Sequence, residues 1–273
     1  MFPLLLTTLL VAAPVAEVKA YAVPTMLVEP AEASAKQFTI IDTRSKSTYD
    51  EGHVPGAVQL GVGPWGKVIN AEKADAAFWK KELAAAGIGA KAVVLVYAED
   101  IRDMCRAWWM FKLAGVQDVR VLNGGWKAYV IAKQTVSKDA VKIQPAEAFD
   151  WKPEPRFITK AEVVKLAEAK SGGLLDARSA TEFADGRVPG ATALEWKEVL
   201  DAETEKFLKP AELAALMKRK NVKLDSPCVT YCAAGGRASV LAFALELMGA
   251  KNVKNYHASW GEYGADRNTP KEK

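Results

Sequence analysis

The chain has 273 residues, of which 50% are hydrophobic, and its 37 lysines and arginines against 33 aspartates and glutamates give a formal net charge of +4. This length and apolar content are sufficient for two folded domains, each with its own core. The charge is small and no basic run stands out, so the composition does not favour a nucleic-acid-binding protein. Two histidines and no Cys-x-x-Cys pair also argue against a metal site.

The longest apolar run lies at residues 1–20. It is short and is interrupted by Pro3 and Pro14, so it does not predict a membrane-spanning helix. The residues at 18–20 suit signal peptidase, and we interpret residues 1–20 as a signal peptide, although no lysine or arginine precedes the apolar run. The mature protein would then be periplasmic or secreted and would have no membrane span. The alternatives are a mis-set start codon, with a cytoplasmic protein, or a disordered apolar tail.

The chain repeats itself at a constant shift of 134 residues, the separation of Asp42 and Asp176. The same shift superposes the following without a gap: Arg44 on Arg178, Gly52 on Gly186, residues 54–57 on 188–191, Tyr97 on Tyr231, Leu113 on Leu247, Gly115 on Gly249, Val119 on Val253 and Trp126 on Trp260. The repeat predicts two copies of one domain. We place the first copy at 21–134, a proline-containing linker at 135–157 and the second copy at 158–273.

Strands and helices are predicted to alternate within each copy. In the first copy, strands are predicted at 38–41, 92–97 and 119–122, and helices at 74–86 and 105–114. In the second copy, strands are predicted at 173–175, 228–231 and 253–256, with helices at 210–218 and from 238 to 248. This alternation predicts an α/β protein in which each copy is a mostly parallel sheet flanked by helices.

The strand at 228–231 leads into Cys232, the candidate nucleophile, and a loop of small residues before the next helix. That loop consists of Ala233, Ala234, Gly235 and Gly236 and ends at Arg237. A loop curled over a helix N-terminus directs its N–H groups inward, toward the sulfur and any anion that it carries. An ordinary cysteine with a pKa near 8.5 is only about 3% thiolate at pH 7. A helix N-terminus and a nearby arginine favour the thiolate, so we expect a reactive thiol; the alternative is a buried structural cysteine.

The length of this loop separates two kinds of chemistry. Cysteine-dependent phosphatases use a Cys-x5-Arg loop to surround a phosphate, whereas four residues separate Cys232 from Arg237. A loop one residue shorter should close around a sulfur atom carried on the cysteine. Cys228 lies about 13 Å from Cys232 on an extended strand, which is too far for a disulfide. We interpret Cys105 and Cys228 as packing residues.

Several segments resemble the rhodanese family of sulfurtransferases. Residues 41–44 with 52–57, and again 175–178 with 186–191, resemble the N-terminal box of a rhodanese domain, and residues 121–126 are similar to its closing box. Residues 256–264 resemble the C-terminal box of two-domain thiosulfate and 3-mercaptopyruvate sulfurtransferases, and the Cys232 loop resembles the rhodanese active-site loop. The resemblance extends from about residue 33 to 270 and implies two tandem rhodanese-like domains.

The resemblance also implies an activity. In this family the first domain is typically inactive, and here Cys232 corresponds to Ala98 and Arg237 to Asp103. Cys232 would take the outer sulfur of thiosulfate as a persulfide and pass it to cyanide or a thiol. The loop residues 233–237 would bind the small anionic donor, with no metal or organic cofactor, and we expect a monomer.

Other residues near this loop are expected to support the fold. Asp176, Arg178 and Trp260 are interpreted as structural, because the first copy repeats them. Arg187 is a candidate for a contact to the donor, and the alternative is a solvated surface arginine. We expect His257 to be a turn residue, and Trp260 with its neighbours Ser259 and Glu262 to form a wall of the pocket.

The sequence leaves two alternatives open, a 3-mercaptopyruvate sulfurtransferase and a non-catalytic binding or sulfur-carrier module of the same fold. Two-domain sulfurtransferases usually carry further arginines near the second Asp-x-Arg box, whereas residues 179–185 are acidic here. The arginine-ended loop is also more like that of single-domain rhodaneses. Both features favour thiosulfate or a persulfide as the donor.

Overall fold

The computed structural model describes residues 18–147, 152–169 and 173–273. The predicted signal peptide lies outside the described residues except for residues 18–20, and four residues of the predicted linker, 148–151, also lie outside them. Within the described ranges, no helix combines the length and the apolar character needed to cross a membrane.

The first copy is a parallel five-stranded sheet in the order β1-β5-β4-β2-β3. Its strands are β1 Leu27–Val28, β2 Thr39–Asp42, β3 Val58–Gln59, β4 Val93–Tyr97 and β5 Asp118–Leu122. Its helices are α1 Lys46–Glu51, α2 Gly63–Asn70, α3 Ala76–Ala85, α4 Ile101–Leu113 and α5 Gly125–Ile131. The buried central run of β4 and the flanking helices match the predicted pattern.

The second copy has a parallel four-stranded sheet in the order β7-β6-β8-β9. Its strands are β6 Leu174–Asp176, β7 Thr192–Ala193, β8 Cys228–Tyr231 and β9 Val253–Asn255. Its helices are α6 Lys160–Ala169, α7 Ala180–Asp185, α8 Pro210–Arg219, α9 Gly236–Leu247 and α10 Ser259–Tyr263. The order matches β3-β2-β4-β5 of the first copy, so the prediction of two α/β units with parallel sheets is confirmed.

Helices α4 and α9 are equivalent in the two copies and pack against each other at the centre of the molecule. Both are buried along most of their length, and the Trp108 ring of α4 meets the Phe243 ring of α9 edge-on at 4.9 Å. An element that is apolar on several faces must be covered on each of them. Each helix therefore covers the other on the face turned away from its own sheet, and the N-terminus of α9 lies beside α4.

Segments outside the two sheets also join the copies. Before β1, the backbone N–H of Val23 donates to Leu247 O at 3.1 Å, and the Tyr21 hydroxyl donates to Leu208 O at 2.7 Å. The connection between the copies runs back over the first copy, where Ser137 pairs with His53 as an antiparallel bridge. The first copy therefore contacts the second through its N-terminal segment as well as through α4.

Candidate active site

Cys232 lies between the end of β8 and the start of α9, at the carboxyl edge of a parallel sheet, where sites in such folds are found. The backbone N–H of Gly235 donates to the Cys232 Sγ at 3.1 Å, so this amide of the loop faces the sulfur. Gly235 has φ +85°, and a Cβ there would lie 2.4 Å from Cδ2 of His257. The amide that faces the sulfur therefore requires glycine at this position.

The segment at the start of α10 holds the active-site loop, residues 232–237, from behind. The N–H groups of Trp260 and Gly261 donate to the carbonyls of Cys232 and Ala233 at 2.9 and 3.0 Å. The Ser259 hydroxyl accepts from Cys232 N at 3.1 Å and donates to Tyr256 O at 2.7 Å. Sequence reasoning missed this support.

Ser259 adopts a left-handed backbone, with φ +59°, which is unusual for a residue other than glycine. Its counterpart in the first copy is Gly125, which has the same φ of +59°. Glycine adopts this backbone conformation at lower cost than serine. The presence of serine here indicates that its hydroxyl has a structural or functional role. The constant 134-residue shift pairs the two positions, so the sequence carried a signal for this residue.

A cavity of about 300 Å³ borders the thiol. Cys232 is only 1% exposed, yet it lines this cavity together with Ala233, Ala234, Gly236 and Arg237 of the second copy and Asp100, Arg102, Asp103 and Arg106 of the first. A larger cavity of about 570 Å³ lies where the N-terminal segment meets the other ends of α4 and α9, and Cys232 does not border it. The smaller cavity is the candidate site because it contains the nucleophile.

Arg237 reaches this cavity but is held by a carboxylate. Its Nη1 and Nη2 donate to the two carboxylate oxygens of Glu182 at 2.6 and 2.8 Å. These hydrogen bonds are the main reason that the pKa of Glu182 is lowered to about 2, and Ser179 contributes to the same shift. The pKa of Arg237 is raised, first by Glu182 and then by the neighbouring Cys232. The predicted donor-binding arginine is therefore already paired within the protein.

Arg106 and Arg102 come from α4 and were not predicted as site residues. A Cβ on Gly236 would lie 2.5 Å from Nη2 of Arg106, so this guanidinium packs directly on the first residue of α9. Its Nε is buried and has no hydrogen-bond partner in the part of the chain that the structure describes. Arg102 is more exposed and forms hydrogen bonds to both carboxylate oxygens of Asp100. The 134-residue shift could not reveal these residues, since they face Cys232 only through the packing of α4 on α9.

His257 lies behind the loop and is buried. Burial, followed by the charge of Arg106, lowers the pKa of His257 to about 4, so the ring is neutral at pH 7. Its Nδ1 pairs with Asn70 Oδ1 at 2.7 Å, and its ring stacks on Trp109 with centroids 5.2 Å apart. The side chain thus packs between the first copy and Gly235. The sequence predicts only a turn residue, whereas the ring helps to join the two copies.

Asp176 and Arg178 form a buried pair in which Nε and Nη2 of the arginine donate to the carboxylate at 3.0 and 2.6 Å. Nη2 also donates to Gly186 O at 2.7 Å, and the Trp260 ring lies 4.5 Å from the guanidinium carbon. The first copy repeats the arrangement with Asp42, Arg44, Gly52 and Trp126: the three hydrogen bonds have the same lengths of 3.0, 2.6 and 2.7 Å, and the ring lies 4.0 Å from the guanidinium carbon. The pair has the same contacts in the copy that lacks a thiol.

The remaining candidates do not line the cavity, although Ser259 touches Cys232 from behind. Arg187 pairs with Glu272, Nε to Oε2 at 3.5 Å, and lies over the Phe183 ring at 4.7 Å. Glu262 accepts a hydrogen bond from the Tyr256 hydroxyl at 2.7 Å. Neither Arg187 nor Glu262, nor the predicted walls Ser259 and Trp260, is among the residues that line the cavity at Cys232.

The other two cysteines are buried and free. Cys105 lies inside α4, where burial raises its pKa well above the ordinary value. Cys228 lies in β8, and burial raises its pKa as well. A raised pKa disfavours the reactive thiolate form. Both residues are packed in the core and lie outside the cavity.

The model of the family described as "Rhodanese-like domain" matches residues 25–132 and 159–266. The chain belongs to this family and carries two such domains in tandem, one in each copy. A protein of Mycolicibacterium smegmatis named "Putative thiosulfate sulfurtransferase" is 32% identical over 241 residues, which are 80% of this chain and 85% of that one. The "3-mercaptopyruvate sulfurtransferase" of Escherichia coli K12 is 28% identical over 252 residues, 85% and 87% of the two chains. With these relatives, the chain is a tandem rhodanese sulfurtransferase.

Solved structures share the fold. The anaerobic ergothioneine biosynthesis enzyme of Chlorobium limicola, in complex with trimethyl histidine, superposes with a TM-score of 0.82 at 22% sequence identity. The match covers 93% of this chain and 71% of that one. At this identity the likeness concerns the fold alone.

Proposed function

We propose that this sulfurtransferase moves the outer sulfur of thiosulfate to cyanide or a thiol through a persulfide on Cys232. The observation that carries the proposal is the placement of Sγ, which accepts a hydrogen bond from Gly235 N at 3.1 Å and borders a cavity of about 300 Å³ with guanidinium groups in its lining. An amide facing the sulfur stabilises negative charge on it, and the guanidinium groups attract an anion.

The reaction follows from this geometry in two steps. The thiolate of Cys232 attacks the outer sulfur of thiosulfate, a sulfur–sulfur bond forms on Sγ, and sulfite departs with the electron pair of the broken bond. Cyanide or a thiolate then attacks the outer sulfur of the persulfide and restores the thiolate of Cys232. Electrons balance without an added oxidant or reductant. The guanidinium groups that line the cavity stabilise the negative charge of the departing sulfite, and the Gly235 amide stabilises the negative charge on Cys232 Sγ.

The second candidate donor is 3-mercaptopyruvate, which the relative in Escherichia coli K12 carries in its name. Attack on its sulfur releases an enolate that must gain a proton, whereas sulfite leaves without one. The residues that line the cavity include no histidine. His257 lies behind the loop and is neutral at pH 7 because its pKa is lowered to about 4. The lack of a histidine proton donor in the cavity lining favours thiosulfate over 3-mercaptopyruvate as the sulfur donor.

A comparison of donors tests the proposal. Thiocyanate formation from cyanide is measured with thiosulfate and with 3-mercaptopyruvate, using wild type and Cys232→Ser. We expect kcat/KM for thiosulfate to exceed that for 3-mercaptopyruvate by at least about tenfold, and the variant to be inactive. A preference for 3-mercaptopyruvate would reassign the donor. The absence of turnover with either donor would favour the non-catalytic module.

A further inference from the structure

The sequence assigned donor binding to Arg237, but the structure pairs that residue with Glu182. We propose that Arg106, from the domain that lacks the thiol, binds the anionic end of the sulfur donor, and that Arg237 holds the active-site loop in place through Glu182. The inference rests on the proposed function and concerns the same cavity.

Arg237 lines the cavity beside Cys232, but its guanidinium is held by Glu182. Both of its terminal nitrogens contact Glu182, and the Glu182 carboxylate also accepts from Ser179 N and Oγ at 3.1 and 3.0 Å. The carboxylate is thereby anchored at the first turn of α7. A donor would meet only the N–H groups that this pair leaves free, on a guanidinium whose charge Glu182 already compensates.

Arg102 is also a weak candidate. Its Nε and Nη2 donate three hydrogen bonds to the Asp100 carboxylate, and its side chain is 46% exposed. Exposed and paired charges interact weakly with a further ion, because solvent and the partner both screen them.

Of the three arginines that line the cavity, Arg106 has the longest ion pair. Its ion pair to Asp103 is long, at 3.6 Å, and Asp103 is 60% exposed. Its Nε is buried without a hydrogen-bond partner among the described residues, and the group packs on Gly236 at the N-terminus of α9. A planar guanidinium can donate two parallel hydrogen bonds to two oxygens of a sulfonate-type group. The N-terminus of α9 favours the same anion.

In this arrangement, both domains contribute residues to the active site. The second domain supplies the thiol and the amide that faces it, while the first domain supplies the cation that recognises the donor. Arg106 corresponds to Val240 under the 134-residue shift, whereas the residue equivalent to Arg237 is Asp103. Arg106 is therefore not the first domain's counterpart of Arg237. It reaches the thiol through the packing of α4 on α9.

The test uses binding, so that it does not depend on turnover. Thiosulfate and sulfite are titrated calorimetrically into Cys232→Ser, alone and combined with Arg106→Gln, Arg106→Lys or Arg237→Gln. Arg120→Gln is the matched control, because this arginine of the first domain pairs with Asp118 outside the cavity. We expect Arg106→Gln to weaken both anions about 10- to 100-fold, the loss expected for a charge-assisted hydrogen bond, and Arg106→Lys to weaken them less. Arg120→Gln should bind as the parent does.

Steady-state kinetics complete the test in the otherwise wild-type protein. Arg106→Gln should raise KM for thiosulfate by a similar factor, while discharge of a preformed persulfide by cyanide stays unchanged, since sulfite has already left. Undiminished anion binding by Arg106→Gln, or no binding of either anion by the parent, would overturn the inference. Sulfite binding that depends on Arg106 in a protein that forms no persulfide would uphold Arg106 as the anion site and refute the proposed function alone.

Discussion

Ser259 and Gly125 occupy equivalent places in the two domains with the same φ of +59°. Glycine adopts this conformation without cost, whereas serine there costs about 1 kcal/mol. The serine occurs in the domain that contains the thiol, where its hydroxyl accepts a hydrogen bond from Cys232 N at 3.1 Å. We infer that the backbone strain is retained because the hydroxyl fixes the cysteine.

Replacement of Ser259 separates strain from hydrogen bonding. Ser259→Gly removes both, so the free energy of unfolding should change by less than about 1 kcal/mol, while kcat/KM for thiosulfate falls about tenfold. Ser259→Ala keeps the strain and leaves the buried Cys232 N–H unpaired, which should lower the free energy of unfolding by about 2 kcal/mol. Urea unfolding and steady-state kinetics measure the two effects. A Ser259→Gly enzyme as active as wild type would rule out this role.

The buried ring of His257 should make stability depend on pH. Its pKa is lowered from 6.5 to about 4 in the folded protein, so the unfolded chain binds the proton more tightly. The contribution of the neutral His257 ring to the free energy of unfolding is therefore complete above pH 6.5 and is lost as the pH falls toward 4. Between pH 7.5 and 5 this residue should cost about 2 kcal/mol. Urea unfolding at both pH values should show a smaller loss in His257→Gln, and an equal loss in both proteins would contradict the assignment.

At the scale of single elements, each strand-end ion pair joins a strand to the residue that follows a short helix. Arg44 joins Asp42 of β2 to Gly52 O after α1, and Arg178 joins Asp176 of β6 to Gly186 O after α7. Burial makes such pairs costly to break, because the remaining carboxylate has no compensating charge.

Matched substitutions test whether this pair is structural in both domains. Arg44→Met and Arg178→Met should each lower the free energy of unfolding by about 3–5 kcal/mol, since each leaves a buried carboxylate unpaired. Thermal or urea unfolding gives the stability, and KM for thiosulfate should stay within about threefold of wild type in whichever variants fold. A selective rise in KM for Arg178→Met alone would instead indicate contact with the donor.

The helix at the domain interface shows where sequence reasoning stopped. The apolar pattern predicted a helix over 105–114, whereas α4 begins at Ile101 with Asp100 as its N-cap. The first turn carries Arg102 and Asp103, but its buried Ile101 and Met104 continue the helical spacing, so the sequence held a signal for this turn that the prediction missed. Arg106 lies inside the predicted helix, but hydrophobic periodicity cannot tell which neighbour a polar side chain of a buried helix will meet. That depends on how α4 packs against α9.

For the whole molecule, the duplication and the type of sheet could be predicted because glycine, proline and tryptophan positions recur at one shift. The 134-residue shift reveals features that the two domains share, such as the equivalent pairs Asp42–Arg44 and Asp176–Arg178. It could not report contacts that exist only between the domains. The cationic lining from α4, the pairing of Arg237 with Glu182 and the packing of His257 on Trp109 all depend on tertiary placement.

Separation of the domains tests this dependence. A fragment of residues 158–273 would expose the face of α9 that packs on Trp108 and would lack Arg106. We expect it to aggregate or to unfold without a cooperative transition, because an exposed apolar helix face is no longer covered, and to lose thiosulfate turnover by more than about 100-fold. Circular dichroism melts and kinetics measure both outcomes. A folded fragment with wild-type kcat/KM would show that the first domain is dispensable.

In the proposed reaction, the Cys232 sulfur carries the transferred sulfur atom. Intact mass spectrometry after mixing with thiosulfate measures this directly. We expect a gain of about one sulfur, roughly 32 Da, that cyanide reverses and that Cys232→Ser does not show. An unchanged wild-type mass, or a gain that persists in Cys232→Ser, would contradict the account.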